Sequence, residues 1–228
     1  MIASAALLFA ATVAAAGYQT VDLHKHVTTG FSDSVANDYM GGWFDEGAND
    51  LRTLPVGRRM FAGVLFDVID PDQNGGASCI ALKSVNRPYF PSKVTGIPLA
   101  AIGADRLHFL HACGWGDVQL AGKTVIRYRL NYADGSVADV PVAYGRDIGN
   151  WWAPQDLANA VLAWAGYNPV GRLVGLWRRS ARWRRSRRRV RPVRRRSRSS
   201  PTARARFISL PKRRWLRGCA VIHFQPSR

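Results

Sequence analysis

Cysteine is scarce in this chain of 228 residues, which has only Cys79, Cys113 and Cys219. Three cysteines do not make a disulfide framework, and the sequence has no C-x-x-C pair and no Cys/His metal spacing. Cys79 and Cys113 each lie in an apolar run, which favours buried thiols. A bridge between these two stays open in an oxidising compartment, provided that their strands are neighbours.

Acidic residues are absent from the C-terminal quarter of the sequence. The 33 Lys and Arg outnumber the 15 Asp and Glu, and the formal net charge is +18. Residues 1–171 contain 12 basic and all 15 acidic residues, a net charge of −3, whereas residues 172–228 contain 21 basic residues. Two compositions therefore meet near Arg172, and only the second predicts a polyanion partner.

Sustained helical periodicity is also absent, whereas short apolar or alternating stretches bounded by Gly, Pro, Asn and Asp recur. Residues 124–132 alternate between apolar and polar positions, and an Ala-Asp-Gly-Ser break returns the chain through residues 137–145. This pattern is typical of a β-hairpin with one solvated face. Residues 18–27 are predicted to form the first strand. We predict an all-β fold, an antiparallel β-sandwich with jelly-roll-like connections.

The N-terminal run from Ile2 to Ala16 is apolar, too short to span a membrane, and followed by Gly17 after small residues. The pattern predicts a signal peptide over residues 1–16 and a secreted or periplasmic protein that is not an integral membrane protein. A buried N-terminal helix is the alternative, because no Lys or Arg precedes the apolar run.

No catalytic constellation can be recognised in the sequence, which has neither a Gly-x-Ser-x-Gly motif nor a phosphate-binding loop. Asp45 and Glu46 are adjacent, so in an extended segment their side chains point in opposite directions. A glycosidase needs two carboxyl groups that face each other across the substrate. We predict a protein that is not an enzyme, with a fragment of a glycoside hydrolase as the alternative.

The histidines do not form a metal-ligand set in the sequence. His24 and His26 share one face of the first predicted strand and are interpreted as surface residues. His108 and His111 lie on opposite faces of a later predicted strand, and we expect His108 at the surface and His111 in the core.

The loop over residues 36–52 is rich in oxygen ligands of the kind that calcium prefers. Its candidates are Asp38, Asp45, Asn49 and Asp50. They predict a structural calcium, and no other cofactor is expected. The alternative is a turn-rich loop in which Asn and Asp side chains cap their own backbone.

Tryptophans stand in several of the predicted loops, beside Asn, Asp and Arg. Indole stacks on the apolar face of a sugar ring while polar neighbours bind its hydroxyl groups. The predicted ligand-binding residues are Trp43, Trp115, Trp151, Trp152, Arg87 and Tyr89. They predict a polysaccharide or glycan partner. Alternatively, some of these rings fill the ends of the sandwich.

Several segments occur in a recognisable order, including GGWFDEGANDLRTLPVG, NRPYFPSKVTGIPL, LHFLHACGWG and YADGSVADVPVAYGRDIGNWW. Over Val21 to Trp177 the chain resembles an uncharacterised β-sandwich module. That module is similar to galactose-binding-like domains attached to secreted bacterial glycoside hydrolases and related polysaccharide-degrading proteins. The resemblance implies a non-catalytic carbohydrate-binding or structural accessory domain.

The sequence changes character after Trp177. We predict a β-sandwich domain over residues 17–177, incomplete at its C-terminal end, and a disordered Arg/Ser-rich tail over residues 178–228. A reading-frame change in GC-rich DNA would produce such a tail. This explanation predicts that one sheet has an unpaired edge where the missing strand belongs. The alternative is a nucleic-acid-binding protein that acts through the tail. No specific nucleic-acid partner is expected, since a cationic tail binds polyanions non-specifically.

Overall fold

Strands make up most of the regular structure in the computed structural model, which describes residues 18–99, 106–132, 134–182, 203–209 and 219–227. They are β1 (Gly57–Phe61), β2 (Val64–Val68), β3 (Ile80–Leu82), β4 (Lys93–Thr95), β5 (Arg106–Cys113), β6 (Thr124–Tyr132), β7 (Val137–Ala143), β8 (Ala160–Tyr167), β9 (Leu173–Arg182), β10 (Ala203–Ser209) and β11 (Cys219–Ser227). Two short 3₁₀ turns accompany them. Within these residues, no helix has the length and hydropathy needed to cross a membrane.

The strands form two open antiparallel sheets and a separate hairpin. The order is β3-β11-β5-β9-β8 in the five-stranded sheet and β4-β10-β6-β7 in the four-stranded sheet, while β1 pairs with β2. The pairings are nested, because β3 pairs with β11, β4 with β10, β5 with β9 and β6 with β7. Nested pairing that alternates between two sheets is jelly-roll topology, so the predicted all-β sandwich is confirmed.

Alternate residues of β5 and β6 fill the space between the two sheets. The rings of Phe109 and Tyr128 stack there with centroids 3.9 Å apart, and Ile126 belongs to the same buried cluster. On the opposite face of β6, Arg129 forms an ion pair with Asp139 of β7 at 2.7 Å. The predicted hairpin with one solvated face is therefore confirmed.

The five-stranded sheet is covered on its second face as well. Leu110 of β5 and Leu176 of β9 pack there against Phe44, Phe66 and other apolar side chains of residues 31–54 and of the β1–β2 hairpin. Every residue of β5 after the first is consequently buried. This third layer fixes a long loop on the sheet, and that loop contributes to the candidate site.

The predicted first strand over residues 18–27 is wrong. The backbone N–H groups of His26 and Val27 donate to the carbonyl oxygen of Leu23, which makes a turn. Asp22 favours this turn because its carboxylate accepts hydrogen bonds from the backbone and the ring of His24. His24 and His26 therefore lie in a surface turn rather than on a strand face.

The predicted boundary at Trp177 falls inside a strand, because β9 continues to Arg182 and Ala181 is buried in the core. The expected unpaired edge is also wrong. β10 lies between β4 and β6, and β11 lies between β3 and β5. Residues 183–202, 210–218 and 228 of the predicted tail lie outside the described residues, as does the predicted signal peptide. The reading-frame change stays a prediction that the nucleotide sequence tests.

The open alternative of a disulfide between Cys79 and Cys113 does not hold. Both are buried, and they are not bridged to each other. Strand β11 separates β3, which follows Cys79 directly, from β5, which ends at Cys113, so the two strands are not neighbours. Burial raises the pKa of the Cys79 thiol, which keeps it protonated and unreactive.

Candidate functional site

The segment from Phe31 to Arg52 is a loop whose two ends are joined by hydrogen bonds. Leu51 N donates to Phe31 O at 3.3 Å, and Asp33 N donates to Asp50 Oδ2 at 2.8 Å. The Arg52 guanidinium also binds the carboxylate of Asp50, with the shortest N–O distance 2.7 Å. Asp50 therefore closes the loop, and its oxygens are occupied by donors of this chain.

Two glycines set the position of Trp115 just after β5. A Cβ atom at Gly114 would collide with the ring of Phe44, and one at Gly116 would collide with the ring of Tyr144. Only glycine permits these close approaches. The Trp115 ring stacks on Phe44 with centroids 3.8 Å apart and an interplanar angle of 11°. Phe44 therefore covers one face of the indole and fixes the orientation of the ring.

An open cleft of about 440 Å³ lies between this tryptophan and the loop. It is lined by Asn37, Tyr39, Asp45, Glu46, Val85, Asn86, Pro88 and Trp115. Asn37, Tyr39 and Trp115 have left-handed φ angles of 63°, 62° and 49°. Such angles are costly for residues other than glycine and cluster at binding sites, where the surrounding structure maintains them.

Asp45 and Glu46 both line the cleft, contrary to the expectation that their side chains diverge. That expectation assumed an extended segment, whereas residues 41–50 form bends and turns. Burial raises the pKa of Glu46, although the hydrogen bond from Asn49 opposes the shift. Sequence reasoning missed Glu46 as a site residue because its orientation depends on the loop conformation.

Arg87 lies beneath the cleft with 1% of its surface exposed. Its guanidinium is 3.1 Å from Asp45 Oδ2, and it donates hydrogen bonds to the hydroxyl of Tyr89 and to the carbonyl oxygen of Gly42. Neither Arg87 nor Tyr89 belongs to the cleft lining, although both were predicted as ligand-binding residues. The structure places Arg87 as the residue that anchors Asp45.

The four predicted tryptophans lie in three different environments. Trp43 and Trp151 are buried in the layer over the five-stranded sheet, where their ring centroids are 5.1 Å apart. Trp152 is half-buried outside the cleft, and the guanidinium of Arg172 lies 4.8 Å from its ring centroid. Among the four, only Trp115 lines the cleft.

The predicted metal ligands also separate. Asp38 and Asp45 each offer a carboxylate oxygen within 4.8 Å of one from Asp33, a residue that sequence reasoning missed. Asn49 instead donates to Glu46 and accepts from Asn168, a bond of 2.6 Å that joins distant parts of the chain. Asp33 lies before the loop predicted over residues 36–52. It comes close to Asp38 and Asp45 only because the loop closes on itself.

His111 is part of a buried polar network away from the cleft. Its ring nitrogens lie 2.9 Å from the hydroxyl of Tyr128 and 3.0 Å from the carbonyl oxygen of Asp147. Burial, with Arg179 nearby, lowers the pKa of His111 to about 3. His108 is also buried, contrary to expectation, and burial lowers its pKa to about 4.

Acid is expected to destabilise the fold through these histidines. Unfolded histidine has a pKa of about 6.5, so the unfolded chain binds protons first as the pH falls. His111 alone should lower the free energy of unfolding by about 1.4 kcal/mol per pH unit below pH 6.5, until the pH nears its folded value. Urea denaturation between pH 7 and 4.5 measures this slope. His111→Gln should make the slope shallower, and an unchanged slope would contradict the assignment.

Comparison of the chain with protein-family models, with curated proteins and with solved structures found no match in any of the three. The resemblance to galactose-binding-like modules therefore stays a prediction. A functional assignment depends on the geometry of the cleft and on the chemistry of its lining.

Proposed function

We propose that the cleft binds a glycan and that the domain is a non-catalytic carbohydrate-binding module of a secreted or periplasmic protein. The observation that carries this proposal is the position of Trp115, whose indole lines an open cleft together with amide and carboxylate side chains. Tyr39 adds a second aromatic ring, 68% exposed. Aromatic faces stack on sugar rings, and polar groups at the rim bind the hydroxyls.

The charge of the cleft favours a neutral or amino sugar over a uronic acid. Asp45 and Glu46 contribute carboxylates to the lining, and no basic residue is among the described residues that line it. An acidic polysaccharide would bring like charges together in a partly buried site. Polyanion binding, which the 21 basic residues of 172–228 predict, is therefore expected at a different part of the chain.

Replacing the cleft tryptophan tests the proposal. Trp115→Ala is expected to weaken binding to a neutral polysaccharide by about 1–3 kcal/mol, because it removes one stacked aromatic anchor. Tyr39→Ala should weaken binding with little change in Tm, since its side chain is exposed. Affinity electrophoresis against galactan, xylan and mixed-linkage glucan gives the affinities, with polygalacturonate as the acidic comparison.

Trp152→Ala is the matched control, because this ring is half-buried but does not line the cleft. It should leave the affinity unchanged. Equal losses of affinity in Trp115→Ala and Trp152→Ala would mean that the aromatic rings act through the fold alone. If the intact chain binds no neutral or amino polysaccharide, the proposal is refuted.

A further inference from the structure

Three carboxylates meet where the loop over residues 31–52 folds back on itself. Asp33, Asp38 and Asp45 each place an oxygen within 4.8 Å of the other two. Asp33 and Asp45 are buried, whereas Asp38 is exposed. Like charges at this separation repel each other strongly in a partly buried site. A positive charge bound between the three carboxylates would offset this repulsion.

Asp33 supplies a second observation that points to a ligand. Its side chain is buried, with 1% of the residue exposed, and its Oδ2 accepts a hydrogen bond from Gly47 N at 2.7 Å. Its Oδ1 is buried and has no hydrogen-bond donor within the part of the chain that the structure describes. A buried carboxylate oxygen without a partner is costly, and a cation at the cluster would satisfy it.

The charged side chains around the cluster compensate it only in part. Arg87 pairs with Asp45 at 3.1 Å, while Arg52 pairs with Asp50 at 2.7 Å. Among the described residues, no ion pair involves Asp33, so its carboxylate and that of Asp38 are left as a net negative pair beside the cleft.

Glycine at position 41 makes room for the buried oxygen. Gly41 has a φ angle of +82°, and a Cβ atom there would collide with Asp33 Oδ1. Only glycine therefore allows the loop backbone to lie this close to the carboxylate. Asp45 is also tied to the same turn, since it accepts hydrogen bonds from the backbone N–H groups of Asp38 and Tyr39.

We propose that Asp33, Asp38 and Asp45 bind a calcium ion. The donors are all hard oxygens, and calcium accepts the irregular geometry of a loop, with backbone carbonyls and water completing its shell, whereas magnesium demands a near-ideal octahedron. The ion joins the start of the loop to its middle and fixes Tyr39 and Asp45 in the cleft wall. The proposal does not depend on what the cleft binds.

The test uses the full chain and metal ions alone. After treatment with a chelator, added calcium is expected to raise Tm, and calorimetric titration should give one site with tighter binding of calcium than of magnesium. Terbium should show emission sensitised by the nearby tryptophans.

Asp38→Asn, an exposed substitution, should weaken calcium binding about tenfold or more. Asp156→Asn, at an exposed acid outside the cluster, should stay within about twofold of the unchanged chain.

Asp33→Asn should abolish the calcium-dependent rise in Tm. Should this buried variant fail to fold, Asp38→Asn still decides the matter. Calcium binding that is equal in Asp38→Asn and in the unchanged chain would overturn the proposal, as would an unchanged Tm with calcium. Because no polysaccharide is present, failure here leaves the glycan proposal standing, and failure of glycan binding leaves the calcium site standing.

Discussion

A chain that ends at Arg182 is expected to lose cooperative folding. The deletion removes β10 and β11, which are interior strands of the two sheets. Eight register pairs join β11 to β5, and six join β10 to β6, so one side of each remaining strand would present unpaired N–H and C=O groups. The loss should exceed the whole stability of about 5–15 kcal/mol that is typical of such domains. Far-UV circular dichroism during urea denaturation measures it.

A matched variant separates the strands from the charge. Replacing the ten arginines of residues 184–198 with serine removes the densest positive charge and keeps β10 and β11. This variant should unfold with the same urea midpoint as the unchanged chain but bind heparin more weakly. If the truncated chain instead unfolds at the wild-type midpoint, the C-terminal strands contribute nothing, and the predicted reading-frame change gains support.

The β6–β7 hairpin could be predicted because its information is local. Tyr128 pairs with Val140 across a short turn, and the alternation of polar and apolar residues assigns each side chain to a face. The predicted strand over residues 18–27 failed for an equally local reason. There the side chain of Asp22 stabilises a turn that apolar alternation does not reveal.

The positions of β10 and β11 could not be predicted in the same way. Phe207 pairs with Thr95, and Cys219 pairs with Leu82, so both partners lie more than 100 residues earlier in the chain. A composition dominated by arginine indicates disorder, and this overall composition outweighed the short apolar stretches within residues 203–227. Nested pairing is a property of the whole topology rather than of any segment.

The candidate site was predictable as a set of residue types but not as a set of positions. Trp115 and Trp151 both stand between turn-forming residues, yet Trp151 is fully buried under the third layer. The sequence does not contain a local signal for that layer, because residues 31–54 reach the sheet through long-range packing. For the same reason Asp33 was missed, while Asp38 and Asp45 were found.

Removing the carboxylate of Asp147 is expected to cause the second largest loss. Asp147 has no exposed side-chain surface, and it lies 3.4 Å from the guanidinium of Arg179, a residue first assigned to the tail. It also accepts hydrogen bonds from Ala143 N at 2.8 Å and from Asn159 Nδ2 at 3.0 Å. These bonds connect the end of β7 to β9 and thus join the two sheets.

Asp147→Ala should lower the free energy of unfolding by about 3–5 kcal/mol, because it removes the ionic partner of a largely buried guanidinium and the acceptor of a buried N–H group. Burial alone raises the pKa of Asp147, but hydrogen bonds from Arg146, Ala143 and Asn159 lower it overall. The carboxylate therefore stabilises the fold above its unfolded pKa of about 3.9, and this contribution is lost as the pH falls through the folded value.

A double-mutant cycle with Arg179→Met isolates the ion pair, and urea denaturation at pH 7 supplies the four stabilities. Arg179→Met alone should cost less than Asp147→Ala, because Asp147 keeps its bonds to Ala143 and Asn159.

Asp139→Ala is the control, since this carboxylate forms a solvent-exposed pair with Arg129 and should be worth about 1 kcal/mol or less. If the losses at Asp147 and Asp139 are equal, the buried network does not hold the sheets together. A coupling energy near zero between Asp147 and Arg179 would assign the loss to the bonds from Ala143, Asn159 and Arg146 instead. It would leave β9 beyond Trp177 as a strand held by its pairing alone.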